Sequence, residues 1–162
     1  MRTAGIIGVA RVCALACCMA IPSLVMGLSY PLPPPNVDVV GHVQRITADR
    51  EDTLLALGRE YGIGYEEMRR ANPDVDVWLP GEGTEVLIPS RFILPAARRD
   101  GVVINLAEMR LYYYPPADAG KTRRVETYPI SVGRMDWGTP LGETRITQKT
   151  EDPYWFPPES IL

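Results

Sequence analysis

The chain has 162 residues, room for one ordinary domain or two small ones. Its apolar content of 46% is that of a folded chain rather than a disordered one. With a formal charge of −3 and no basic cluster, nucleic acid is excluded as a natural partner.

The N-terminus reads as a targeting segment. Arg2 and Arg11 flank a short apolar patch, and Val12 to Met26 then form an apolar run of signal-peptide length. Val25 and Gly27 suit positions −3 and −1 of a cleavage site, so residues 1–27 are expected to be removed. The run is short for a spanning helix, and an uncleaved anchor is the alternative. Cys13, Cys17 and Cys18 all lie in this segment. Cleavage would leave no thiol for a disulfide, a metal site or a nucleophile. Tyr30 to Pro35 then holds four prolines, so residues 28–38 read as a proline-rich linker.

Residues 39–90 read as a small unit of order β-α-α-β. Val43 to Thr47 is the first strand. Asp52 suits the N-cap of a helix beginning at Thr53, with Leu54, Leu57 and Tyr61 on one face and Gly62 as the stop. A second helix runs from Tyr65 to Ala71, with Glu66 and Glu67 in its first turn and Arg69 and Arg70 in its last. Asn72-Pro73 closes it, Pro80 to Gly83 turns, and Glu85 to Ile88 is the last strand. The unit contains His42, the one histidine of the chain, with no acid or nucleophile placed around it.

Residues 91–101 read as a connection. Val102 to Leu106 and Met109 to Tyr114 form a hairpin, with Arg110, Tyr112 and Tyr114 on one face and Leu111 and Tyr113 on the other. Arg123 to Val132 is a longer strand, Thr139 to Gly142 has the chemistry of a type I turn, and Thr144 to Thr147 alternates as a further strand. Strands in so short a segment are expected to leave open edges. Ser131 lacks a base, and Glu126, Asp136 and Glu143 are solvated acids beside glycines rather than a glycosidase pair.

Two resemblances follow from exact strings. Asp52-Thr53-Leu54, Tyr61-Gly62, Arg70-Ala71-Asn72-Pro73, Leu79-Pro80-Gly81 and Val86-Leu87-Ile88-Pro89 resemble a LysM module, a binder of N-acetylglucosamine-containing glycans. The resemblance implies glycan contacts at Asp52, Thr53, Asn72 and Pro73. Where that family has Gly before Asp-Thr-Leu this chain has Glu51, and a positive-φ turn there would cost more.

Ser131-Val132-Gly133-Arg134, Trp137-Gly138-Thr139-Pro140-Leu141-Gly142, Asp152-Pro153-Tyr154-Trp155 and Pro157-Pro158 resemble the L,D-transpeptidases with a YkuD-type domain. The likeness runs from Val102 to Leu162 and covers the first half of that domain. The family's histidine and Ser-His-Gly-Cys motif would lie beyond Leu162, so the chain as it stands is expected to have no catalytic residue and to be inactive. The implied fold class is an α+β LysM module followed by the first half of an all-β YkuD-type sandwich, residues 102–162.

The resemblance further implies a cysteine acyl-enzyme, no cofactor and no metal. It places Gly133, Arg134, Trp137, Thr139, Pro140, Gly142 and Trp155 on the wall of a substrate groove. The implied partners are peptidoglycan glycan strands, stem peptides and an outer-membrane lipoprotein as acceptor, in the periplasm of a Gram-negative bacterium. A non-catalytic wall-binding protein with a degenerate β partner is the alternative. Intact mass of the protein recovered from producing cells is expected to lack residues 1–27; a full-length mass in the membrane fraction would favour the anchor.

Overall fold

The computed structural model describes residues 27–117, 119–133 and 138–157. Among them the elements run β1 (Leu28–Pro31), β2 (Val39–Gly41), β3 (Gln44–Thr47), α1 (Leu54–Glu60), α2 (Tyr65–Ala71), β4 (Glu85–Ile88), β5 (Arg91–Ile93), β6 (Gly101–Asn105), β7 (Arg110–Tyr114) and β8 (Arg124–Pro129).

The first unit shows the β-α-α-β order. β3 and β4 pair antiparallel, Gln44 opposite Ile88 and Thr47 opposite Glu85, and both helices lie between them in sequence. The N-cap of α1 is Thr53 rather than Asp52: the Thr53 hydroxyl accepts the Ala56 N–H at 3.0 Å. Asp52 instead accepts the Asp49 N–H at 2.8 Å and closes the preceding turn. Gly62, at φ 61, ends α1: the Ile63 N–H reaches the Gly58 carbonyl and the Gly62 N–H the Arg59 carbonyl, so the orphan carbonyls of the last turn are used. Glu51 needs no glycine, because Met109 and Asp152 are the non-glycine residues with positive φ among those described. The cost anticipated for Glu51 therefore does not arise.

The proline-rich stretch is not a linker throughout. Leu28–Pro31 forms an edge strand on β8, Leu28 opposite Thr127 and Pro31 opposite Arg124. Leu28, Tyr30 and Leu32 alternate and pack against the core, which a free linker could not do. Pro31 is tolerated because β1 is an edge strand. The Arg99 guanidinium then clasps the following turn, donating to the carbonyls of Pro33, Pro34 and Val37 and to Asp38. Arg91–Ile93, expected within a connection, pairs with β2 as β5. Gly41 at φ 73 lies so close to the Ser90 carbonyl that a Cβ would sit 2.0 Å from it.

The second unit is a sheet of order β1-β8-β7-β6, antiparallel throughout. β1 closes the edge of β8 that the sequence left open. The hairpin of β6 and β7 forms with Gly101 opposite Tyr114. Its buried face is the one carrying Arg110, Tyr112 and Tyr114. Two expected features are absent. Thr144 to Thr147 is not a strand: residues 138–157 have no helix or strand, and those from 138 to 156 are exposed. No strand among the described residues offers it a ladder, and alternation alone does not hold a strand. Gly142 lies in a bend at φ 116 rather than in a hydrogen-bonded turn.

The two units share one core. Val40, Leu54, Leu57, Met68, Val86, Ile88, Phe92 and Leu94 cluster with Tyr112, Tyr114 and Val125. At its edge lies Arg110, with a side chain 1% exposed. Its Nε donates to Glu67 Oε1 at 2.9 Å and its Nη2 to Glu67 Oε2, a two-pronged pair from β7 to α2. The guanidinium also meets Thr127 Oγ1 at 3.2 Å and stands 4.1 Å over the Phe92 ring. Removing one partner strands a buried charge. Glu67→Ala is expected to cost about 3 kcal/mol, and adding Arg110→Met to recover most of it. Urea midpoints of the two single variants, the double variant and the parent test this; costs that simply add would mean the pair is not coupled.

Candidate functional site

Ser131 to Gly142 begins where β8 ends. The Ile130 N–H donates to the Met109 carbonyl at 2.8 Å, one step past the ladder, and the chain then leaves the sheet. Gly133, Thr139, Pro140 and Gly142 are all exposed, and Trp155 is 72% exposed. Arg134 and Trp137 lie outside the described residues. The described groove residues are not brought together around a cavity. Of the described residues of this stretch, Ser131 lines a hollow of about 190 Å³ against Gly64, Tyr65 and Met109.

The four glycan candidates divide differently from the sequence reading. Asp52 Oδ2 and Thr53 Oγ1 each accept a backbone N–H of their own turn and helix. Asn72 is 6% exposed, and its amide is fully engaged. Nδ2 donates to the Met68 and Leu87 carbonyls, both at 2.9 Å, and Oδ1 accepts the Leu87 N–H at 2.8 Å. It ties the end of α2 to β4, and with both amide protons used it has no side-chain donor left for a sugar. Pro73 is exposed.

The loop that follows holds what the sequence reading missed. Trp78 is 65% exposed and Leu79 78% exposed. They are held outward by Asp76, whose Oδ1 accepts the Trp78 N–H at 2.8 Å and the Leu79 N–H at 2.9 Å. Those two hydrogen bonds, the Leu79 one foremost, hold the Asp76 carboxyl below its ordinary range. The available signal was a tryptophan in a loop of small and acidic residues between two turns. His42 is exposed, and its carbonyl accepts the Ser90 hydroxyl at 2.7 Å.

Residues 99–162 match the YkuD family, the L,D-transpeptidase catalytic domain. Over 135 residues, 82% of this chain, it is 42% identical to a probable L,D-transpeptidase ErfK/SrfK of Salmonella typhimurium, covering 42% of that protein. Over 151 residues, 91% of this chain, it is 37% identical to a probable L,D-transpeptidase YcfS of Escherichia coli, covering 45% of it. The chain belongs to the L,D-transpeptidase family. It spans less than half the length of these two relatives. A putative L,D-transpeptidase YkuD of Bacillus licheniformis is 28% identical over 112 residues, 65% of this chain and 64% of that protein.

The family-matched segment contributes Glu108, Arg110 and Tyr112 to the wall of a second, larger cavity where β7 meets α2 and β5. There the Tyr112 hydroxyl donates to Glu108 Oε2 at 2.9 Å and lies 3.3 Å from the Ile93 carbonyl. Burial, and then the bond to Glu108, raise its pKa above the ordinary 10.0. As pH rises past 10 the unfolded chain loses this proton while the folded chain keeps it. Stability is therefore whole below that pH and declines until the raised folded value is passed. Tyr30 and Tyr114 are raised by burial too. Urea midpoints followed through the alkaline range are expected to fall, and Tyr112→Phe to make the fall shallower; an unchanged slope in the variant would rule out this role for Tyr112.

Proposed function

We propose that this chain is the leading part of an exported peptidoglycan L,D-transpeptidase, carrying a wall-binding unit ahead of the first strands of the catalytic domain. The observation that carries the reading is the family match over residues 99–162, which includes the Gly133 to Gly142 signature. In the complete reaction a cysteine thiolate, supplied from outside these residues, attacks the carbonyl joining diaminopimelate to the terminal D-alanine. The carbon–nitrogen bond breaks, and D-alanine leaves with a proton from the general acid. An amine of a second stem, or of a lipoprotein, then attacks the thioester and releases the thiolate. No cofactor enters this balance. Gly133, Arg134, Trp137, Thr139, Pro140, Gly142 and Trp155 would border the groove in which the donor stem lies.

The first unit would act as a LysM-type glycan binder. Its β-α-α-β order supports this, and so does the exposed Pro73, Trp78 and Leu79 surface, apolar and aromatic enough for sugar rings to stack on. Export with removal of residues 1–27 rests on the Val12 to Met26 apolar run followed by the small Gly27. The exposed Trp78 and Leu79 surface, which needs no nucleophile, suits equally a wall-binding protein without turnover, the second reading.

Two proteins separate these readings: this chain, and a chimera continued after Leu162 with the C-terminal part of the ErfK/SrfK relative. Each is incubated with disaccharide-tetrapeptide and examined by mass spectrometry. The chimera is expected to release D-alanine and form a dimer linked through diaminopimelate, and to lose both on thiol alkylation. The chain alone is expected to yield neither. A folded chimera that forms no product while the chain still sediments with sacculi would establish the wall-binding reading instead.

A further inference from the structure

We propose that the cleft where α2, β5 and β7 meet is a second peptide-binding site, one that takes a short peptide by its carboxylates. It encloses about 410 Å³, within the usual size of ligand sites, and lies at the junction of the two units. None of the described residues from Ser131 to Gly142 lines it.

The charges around the cleft are unequally committed. Arg110 and Glu67 neutralise one another in its wall. Glu108 accepts the Tyr112 hydroxyl and keeps further acceptor capacity in the same lining. Arg70 reaches only Glu66, at 3.9 Å, with 69% of its side chain exposed. Arg91 is in no ion pair among the described residues. Two guanidinium groups, one from a helix and one from a strand, therefore border the same cavity with their donors available. A guanidinium fork matches a carboxylate in geometry as well as charge.

The rest of the lining is largely apolar, with Ala71, Pro89, Phe92 and Ile93, of which Ile93 is 66% exposed. Guanidinium groups for carboxylates, Glu108 for an amine and an apolar remainder suit an acidic peptide with a free amine. A wall stem peptide has this composition. That choice of peptide rests on the peptidoglycan reading above; the carboxylate site itself does not. Glu67 and Glu108 line both this cleft and the smaller hollow at Ser131, so a stem held here would tether the wall beside the start of the groove segment.

The test is calorimetric titration of the whole chain with three probes: disaccharide-tetrapeptide, the same compound with its carboxylates amidated, and chitotetraose. Arg70→Gln/Arg91→Gln is expected to weaken the first probe by about 10-fold or more, on the scale of one charge-assisted hydrogen bond. Amidation is expected to weaken it similarly in the parent, and chitotetraose binding to stay unchanged. Equal affinity for parent and double variant, or for free and amidated probe, would overturn the proposal. Amide shifts in the parent give a reading that needs no variant: they should appear at Ala71, Ile93 and Tyr112, and shifts confined to residues 128–142 would also overturn it. Carboxylate binding that depends on Arg70 and Arg91, in a protein whose chimera makes no product, would sink the catalytic reading and leave this one standing.

Discussion

The buried Arg110 guanidinium is the constraint on which the arrangement depends. A cation with 1% of its side chain exposed cannot stay charged in an apolar core unless its donors are met. Glu67 meets two of them, Thr127 another, and the Phe92 face covers the flat side. These partners come from α2, β8 and β5, so one side chain of β7 requires all three elements in fixed places. The buried pair contributes specificity of docking more than raw stability, since a well-packed apolar pair would avoid the cost of desolvating both ions.

Glu67 has a second duty. Its Oε2 also accepts the Gly64 N–H at 2.7 Å, one of the orphan donors at the start of α2. The same carboxylate thus caps a helix and docks a sheet. Ser90 does comparable work nearby: its hydroxyl donates to the His42 carbonyl and accepts from Gln44, while its carbonyl accepts the Tyr30 hydroxyl. Polar groups at the seam are satisfied across it, and no buried side-chain nitrogen or oxygen among the described residues lacks a partner.

Local signals made much of this legible. The two helices, the Gly62 stop and the hairpin follow from spacing and turn chemistry, and their places agree within a residue or two. What could not be read was anything decided across the seam. Arg110 alternates with Tyr112 and Tyr114, and nothing local says that a face with an arginine is the buried one. Asn72 looks like a loop asparagine until Leu87 is placed beside it. Leu28–Pro31 looks like a linker because its partner is β8, far along the chain. In the groove segment, Gly133 to Gly142 was recognisable as a string, but the described part forms no enclosed surface from which roles can be read. Trp78 was overlooked because its exposure depends on Asp76 turning the loop outward.

The pairing of β1 with β8 also sets an order of events. Leu28 meets Thr127 across about 100 residues of intervening chain, and closing a loop of that length costs roughly 4 kcal/mol in chain entropy. Residues 44–88 can gather by short-range contacts well before that closure becomes possible. The first strand of the described residues is thus the last to find its ladder partner. Until residues 124–127 exist, Leu28 to Pro31 have no ladder partner, and their backbone donors and acceptors stay open to any other extended segment or to a chaperone.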